Sequence, residues 1–229
     1  MSARSKKIEK GPSWFEVGLG AFMSILLGVV LGAAYLVLKP VPTVKAIPKD
    51  ASSSALYYIE GAHDFNKTEE ATEKRKSFAA GESVDLEEGE INVLLAAGSP
   101  SLPAATPAKA GQPPAPAAPQ KAFDVGPLNA RIHTGKIQFA DTVKFNVFSF
   151  TGSVVVQADG EFRKDGSAFA FDPDTIYVGG CPVQRLLLVR GWVLKKLLFA
   201  QPVPDDISAA WPKLADVVIE GSTLRLKMP

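Results

Sequence analysis

The residues that could carry acid–base or nucleophilic chemistry are few in this chain, and they form no known motif. Its two histidines are His63, which precedes Asp64 in a predicted loop, and His133, which lies in a predicted strand. A histidine serves as a catalytic base only within reach of a nucleophile or of a substrate proton. Neither histidine is accompanied by a nucleophile motif such as G-x-S-x-G. The sequence therefore predicts no catalytic residues, and we expect that the protein is not an enzyme.

Residues that could bind a metal or a cofactor are not arranged for it. Cys181 is the only cysteine, so it forms no internal disulfide, and the cysteine–histidine spacing of a zinc site is absent. The carboxylates of Asp172, Asp174 and residues 87–90 do not follow a calcium-binding loop, which supplies about six to eight oxygens. The glycine pair at 179–180 lacks the phosphate-loop pattern. We expect no metal and no cofactor.

The most informative segment is an apolar one, Val17 to Leu38, which contains 22 residues and no charge. As a helix it would be roughly 33 Å long at about 1.5 Å per residue, enough to cross a hydrocarbon core of about 30 Å. Ser13 and Glu16 stand at the spacing of a capping box at its start. The alternative is a cleaved signal peptide, but its apolar region would be only about 7–15 residues long. The longer run favours an uncleaved transmembrane anchor.

Charge around this segment predicts its orientation. The preceding residues carry four cations, at Arg4, Lys6, Lys7 and Lys10, against one acid, at Glu9. Because cytoplasmic flanks carry the excess of lysine and arginine, we expect a cytoplasmic N-terminus and an extracytoplasmic C-terminal portion. The whole chain has a net charge of only +1, which argues against a nucleic-acid partner.

One face of the predicted anchor is lined by small residues. Gly20, Ser24, Gly28 and Gly32 follow one another at intervals of four residues. Small residues let a second helix approach closely in lipid. We therefore expect a partner transmembrane helix, either a second copy or another protein. The alternative is that these residues reflect only the high glycine content of membrane helices.

Shifts in composition divide the chain into segments. The tract at 99–121 is rich in proline and alanine and has no apolar periodicity, which is typical of a linker. The predicted segments are a cytoplasmic tail at 1–13, the transmembrane helix at 14–39, a stalk at 40–54, a strand and helices at 55–98, the linker at 99–121, and an antiparallel sheet with covering helices at 122–229.

Apolar periodicity predicts an α+β fold, in which a twisted, curved antiparallel sheet packs against helices. Thr68 to Ala80 reads as a helix, and Leu86 to Ala97 as a second helix with Asp85 as its N-cap. About five or six strands follow the linker, ending in a hairpin. The predicted interruptions are a bulge or a tight bend at Gly135, turns at Asp159-Gly160 and Asp165-Gly166, and a break at Pro173.

The segment Val183 to Ala200 is helical in character but apolar on two sides. Leu188, Trp192 and Phe199 lie opposite its main apolar arc, and Arg190 points into that arc. Either the helix breaks near Gly191, or it buries one face on the sheet and the other against lipid, a partner or a ligand. The second reading makes Leu188, Trp192 and Phe199 an apolar-ligand or membrane contact. The alternative is a core helix whose lysines and arginines reach solvent.

The order of elements and one short motif carry a resemblance. The motif is E-x-N-x-x-L, formed by Glu90, Asn92 and Leu95. Residues 83–229 resemble uncharacterised bacterial single-pass membrane proteins with an extracytoplasmic α+β domain, some similar to tubular or curved-sheet lipid-binding modules. The resemblance implies that this helix begins the domain and packs against the sheet. It carries over no ligand-binding residue.

Two functions follow from this reading. The first is a non-catalytic assembly or scaffold protein that binds a partner through its transmembrane helix and its extracytoplasmic domain. The alternative is a module that binds a lipid or another apolar ligand at the membrane surface. A cavity would favour the second function and a filled core the first. The expected lining residues are Phe139, Phe145, Phe150, Phe169 and Trp192.

Overall fold

A long exposed helix begins the described part of the chain. The computed structural model describes residues 13–44, 56–98, 123–147, 150–184 and 186–229. Helix α1, Trp14–Leu38, has both hydrogen bonds of the predicted capping box between Ser13 and Glu16. It contains no buried residue, and its mean hydropathy reaches 2.4. The helix is therefore long and apolar enough to span a membrane.

The α+β class is confirmed, with two antiparallel sheets instead of the single expected one. Strand β4 is Phe123–Val125, β5 is Asn129–His133, β6 is Lys136–Val147, β7 is Phe150–Asp165, β8 is Ala168–Val178 and β9 is Cys181–Pro182. They form a six-stranded sheet in the order β4-β6-β7-β8-β9, and β5 also pairs with β6. Because β7 occupies one edge of β6, strands β4 and β5 share its other edge.

The smaller sheet contains the predicted final hairpin and one unexpected strand. The hairpin is β10, Asp216–Glu220, and β11, Thr223–Lys227, and β11 pairs with β3, Val84–Glu87. The predicted N-cap role of Asp85 is therefore wrong, and Leu86 lies in a strand. Val84 and Leu86 are buried while Asp85 and Glu87 are exposed, an alternation that suits a strand. Helix α3 begins only at Glu88 and ends at Gly98.

Two of the predicted interruptions in the large sheet are turns, and two are not. Gly135 and Gly166 have positive φ angles, at 75° and 62°, in the tight connections β5–β6 and β7–β8, as predicted. Asp159 and Gly160, predicted as a turn, instead lie within β7 at a register shift, where Asp174 of β8 is the additional residue of a bulge. The predicted break at Pro173 is also wrong. Pro173 lies within β8 opposite Gly160, directly beside the bulge, where a strand tolerates a residue without an N–H group.

Helices cover one face of the large sheet. Helix α2 is Thr68–Ala80, ended as predicted by Gly81 in a left-handed conformation. Helix α4, Leu187–Val193, continues into a π-helical turn at Leu194–Leu198 without breaking at Gly191. Arg190 does not enter the core, because its guanidinium donates to Asp172 at 2.7 Å. Helix α5, Asp205–Ala210, is followed by a 3-10 turn, Trp211–Lys213.

The C-terminal end of α1 contacts the folded domain directly. The backbone N–H of Gly180 donates to the carbonyl of Leu36 at 2.9 Å. A Cβ atom at Gly179 would collide with the carbonyl oxygen of Val37. Strand β1, Thr43–Val44, then pairs in parallel with β2, Tyr58–Ile59. The first residues of the predicted stalk are thus held on the domain, and the rest of the stalk lies outside the described residues.

Helix α3 closes the free edge of β5 with side chains. The amide of Asn92 accepts from the N–H of Ala130 at 2.6 Å and donates to its carbonyl at 2.8 Å. Two residues further along β5, the N–H of Ile132 donates to the carboxylate of Glu88 at 2.7 Å. These contacts give the strand edge the partners that a further strand would supply.

We predict that Asn92→Ala lowers the free energy of unfolding by about 3 kcal/mol. The substitution leaves the buried N–H and C=O of Ala130 without partners. Asn66→Ala is the matched control, because Asn66 is exposed and should change stability by less than about 0.5 kcal/mol. Chemical unfolding of the full chain in detergent, followed by circular dichroism, measures both. Equal stability of the two variants would contradict this role of Asn92.

Candidate functional site: an apolar cavity

A cavity of about 610 Å³ lies between the large sheet, the small sheet and the helices. Its volume is within the range of about 300–1,000 Å³ typical of ligand pockets. The apolar residues that line it include Phe78, Val84, Leu86, Ile91, Leu94, Leu95, Leu128, Ile137, Phe139, Phe162, Leu198, Phe199, Ile207, Trp211, Leu224 and Leu226. We call it the apolar cavity.

An aromatic cluster forms the sheet side of the apolar cavity. The ring of Phe139 on β6 lies 5.1 Å from Phe171, 5.4 Å from Phe199 and 6.4 Å from Phe162, each in an edge-to-face arrangement. Phe162 in turn contacts Trp211 at 5.6 Å. The indole N–H of Trp211 donates to the carbonyl of Phe169 at 2.7 Å, which satisfies its polar atom. These contacts hold the rings in fixed positions around the cavity.

Helices α2 and α3 and the small sheet form the opposite side. Phe78 of α2 is only 2% exposed, and Ile91 of α3 is 7% exposed. Leu94 of α3 is partly buried and packs against the same core. Leu224 and Leu226 of β11 complete this wall. The cavity therefore lies between elements that precede the predicted linker and elements that follow it. Its shape depends on the position of α3.

The charged side chains that border the cavity are bound to one another. Arg75 of α2 donates to both carboxylate oxygens of Asp206 of α5, at 2.8 and 2.7 Å. Lys74 contacts the buried carboxylate of Glu90 at 2.6 Å and that of Glu70 at 3.1 Å. The hydrogen bond from Arg75 lowers the pKa of Asp206. Their charges are thus neutralised by protein partners, and the interior presents hydrocarbon and aromatic surface.

Of the four described side chains among the five residues expected to line a cavity, Phe139 alone does so. Trp192 is 50% exposed on the outer surface of α4. Phe145 lies over Gly152, nearer the other end of β6, and Phe169 packs against the core without lining the cavity. The side chain of Phe150 lies outside the described residues. Sequence reasoning missed Phe162, whose position on the same face of the sheet as Phe139 depends on the β6–β7 register.

The three residues predicted as an apolar contact on α4 have different environments. Phe199 lines the apolar cavity and contacts Phe139 and Phe171. Trp192 faces outward, and the side chain of Leu188 lies outside the described residues. The interpretation of this helix as apolar on two sides therefore stays a prediction for Trp192 and Leu188.

The small-residue face of α1 is uncovered. A Cβ atom added at Gly20, Gly28 or Gly32 would meet no atom of the described residues within 4 Å. The hydroxyl of Ser24 donates to the carbonyl of Gly20 at 2.8 Å, so it forms its hydrogen bond within the helix. This face has room for a second helix, and the expected partner stays a prediction.

A buried acid lies on β6, two residues from Phe139. Asp141 is 2% exposed, and neither of its carboxylate oxygens has a hydrogen-bond partner among the described residues. Burial raises the pKa of Asp141 to about 7, and the nearby backbone N–H groups of Thr142 and Gly126 offset only part of this shift. Among the described residues, no three His, Cys, Asp or Glu side chains come together as a metal site.

We predict that the free energy of unfolding falls as the pH rises from about 4 to 7. The folded state keeps the Asp141 proton in this range, whereas the unfolded state releases it near the ordinary pKa of about 3.9. Asp141→Asn should remove this slope and stabilise the full chain at about pH 8 by on the order of 2–4 kcal/mol. Urea unfolding in detergent at about pH 5 and pH 8 measures the effect.

Asp174→Asn is the control for Asp141→Asn. Asp174 is bound to Lys136 near the surface, and that hydrogen bond lowers its pKa. Its contribution is therefore present above the ordinary pKa and is lost only at lower pH. This variant should keep the wild-type slope between about pH 5 and 8. An unchanged slope in Asp141→Asn would contradict the buried-acid interpretation.

We predict that replacing Trp211 in the cavity wall lowers the stability of the domain more than replacing Trp192 at its surface. Trp211→Ala removes the contacts with Phe78 and Phe162 and should cost about 3–5 kcal/mol. Trp192→Ala should cost less than about 1 kcal/mol, because half of the Trp192 side chain is already exposed. Thermal unfolding of the full chain in detergent compares them. A larger loss for Trp192→Ala would show that its ring is buried.

The chain matches no protein-family model, no curated protein and no solved structure. Two features, the apolar cavity and an apolar helix in contact with the same domain, define the candidate site.

Proposed function

We propose that this protein is a membrane-anchored module that binds the acyl chain of a lipid in the apolar cavity. The observation that carries this proposal is the cavity itself, about 610 Å³ of space lined by apolar side chains. A filled core would have favoured the scaffold hypothesis instead. Helix α1 would anchor the module in the bacterial inner membrane, with the domain on the periplasmic side.

The chemistry of the lining favours a hydrocarbon ligand. A ligand with several polar groups would lose hydrogen bonds to water in the cavity, at a cost of roughly 2–7 kcal/mol for each unpaired group. An acyl chain has no such groups and gains from burial. At the border, two cations, Lys74 and Arg75, are bound to three acids, Glu70, Glu90 and Asp206. Among the described residues, this border therefore offers no free cation to an anionic headgroup.

The position of the domain gives the acyl chain a source. The N–H of Gly180 is bonded to the last turn of α1 at Leu36, so the domain would lie directly against the bilayer that holds the helix. A lipid leaving that bilayer would reach the domain without crossing a long stalk. We therefore propose a membrane lipid as the ligand.

We predict that Leu94→Trp blocks the cavity and lowers acyl-chain binding by about tenfold. Leu94 lines the empty space, so the larger ring can occupy it with little change in stability. Ala97→Trp is the matched control, because Ala97 is exposed on the same helix and does not line the cavity. The measurement is photo-crosslinking of a fatty acid with a diazirine at its methyl end to the full chain in native membranes, with peptide mapping.

In the wild-type protein and in Ala97→Trp, crosslinks should map to α1 and to the cavity residues. In Leu94→Trp, only the cavity crosslinks should decrease, so those on α1 serve as an internal reference. Crosslinks confined to α1 in all three proteins would contradict acyl-chain binding in the cavity.

The second candidate function is assembly through α1, which the open small-residue face of the helix favours. We predict that Gly28→Leu combined with Gly32→Leu weakens helix association by about 1 kcal/mol, because bulk prevents close backbone contact. Membrane insertion should be unaffected, since leucine is more apolar than glycine. Gly18→Leu, which is off this face, is the control. An unchanged signal in a bacterial transmembrane association assay would exclude this face as a binding surface.

A further inference from the structure

One end of the large sheet lies against α1. The β8–β9 connection at Gly179 and Gly180 is in contact with the carbonyl groups of the last helical turn. A Cβ atom at Gly179 would also lie 3.1 Å from the side chain of Val154 on β7. Strand β4 begins at this same end, and β6 and β7 meet there in their hairpin. We call this the anchor end of the sheet.

The β6–β7 hairpin extends beyond the point where α1 contacts the sheet. Val154 pairs with Val143, and four more residue pairs follow, from Lys144↔Ser153 to Val147↔Phe150. At about 3.3 Å per residue, these pairs extend about 13 Å further. Helix α1 leaves the domain here, since Val37 is the one half-buried residue of the helix and its other residues are exposed. The hairpin strands therefore continue beyond the contact with the last turn of the apolar helix.

Side chains at the anchor end suit an apolar environment. Phe123 at the start of β4 is 47% exposed, although it pairs with Phe145. The ring of Phe145 lies so close to Gly152 that a Cβ atom there would collide with it. The aliphatic part of Lys39 packs near Gly180, with Cδ 3.7 Å from a Cβ atom added there. Aromatic rings and lysines at this level are typical of the membrane interface.

We infer that the anchor end of the sheet, at Phe123 and the β6–β7 strands, is immersed in the interfacial layer of the bilayer that α1 spans. The occupant of this surface is the phospholipid bilayer itself, because the surface is continuous with the end of the anchor helix. The inference rests on the anchoring part of the proposed function and not on acyl-chain binding. It gives the domain a second membrane contact beside the helix.

Nitroxide labels on the full chain test this inference. Cys181 is replaced by serine, and single cysteines are introduced at Phe123 and Thr151 at the anchor end. Thr151 is exposed, so its label leaves the core intact if Phe123→Cys disturbs packing. Lys164→Cys is the matched control, because it is exposed near the opposite end of β7. Val30→Cys within α1 reports on the anchor itself.

The labelled proteins are reconstituted into vesicles of phosphatidylcholine and phosphatidylglycerol, and collisions with oxygen and with an aqueous nickel chelate are measured by electron paramagnetic resonance. We expect oxygen to dominate at 30, 123 and 151, and nickel at 164. The inference would be overturned if the labels at positions 123 and 151 were as accessible to nickel as the label at position 164 while the label at position 30 lay in lipid. The anchor would still stand in that case. A nickel-accessible label at 30 would overturn the anchor and this inference together.

Discussion

The hydrogen bonds between the Asn92 amide and the backbone of Ala130 hold together the two parts of the domain. Strand β5 pairs with β6 on one side only, so its outer N–H and C=O groups need partners. Asn92 and Glu88 supply them from a helix that belongs to the preceding segment. Glu88 also accepts from the N–H of Ala62 at 2.6 Å, which holds the loop before α2 at the same edge. One short helix thus joins residues that are separated by the proline- and alanine-rich tract.

The same helix explains why the domain contains a cavity. The polar side of α3 is used at the strand edge and in the contact between Glu90 and Lys74. Its other side presents Ile91, Leu94 and Leu95 to the interior. The polar contacts hold α3 at the edge of the sheet, and the cavity lies beside its apolar side chains. A helix held by apolar packing alone would instead be drawn toward the sheet.

Local signals in the sequence predicted the elements that depend on neighbouring residues. The capping box of α1, the end of α2 at Gly81, the tight turn at Gly135 and the final hairpin are of this kind. Pairing between distant segments decided the rest. Asp85 and Glu88 stand at the spacing of a helix start, but β11 pairs with Val84–Glu87 and makes that segment a strand.

Of the cavity, the sequence predicted Phe139 and Phe199 but not the other aromatic residues around them. Phe162 lies on the same face of the sheet as Phe139 because of the β6–β7 register, which no local pattern encodes. Trp211 joins the cluster through a bond to a carbonyl on β8. The motif that contains Glu90 and Asn92 marks the start of the domain in the sequence. That Asn92 closes a strand edge cannot be read from the motif, because it depends on which edge of the sheet is free.

The contact between Gly180 and the last turn of α1 also fixes an angle. A helix joined to its domain by a loose tether can rotate about its own axis without turning the domain. Here two contacts couple these rotations. They are the hydrogen bond from Gly180 to Leu36 and the close approach of the Gly179 backbone to the carbonyl of Val37. The orientation of the small-residue face of the helix relative to the apolar cavity is therefore constant. Two copies that paired through that face about a two-fold axis would have their cavities in symmetry-related positions.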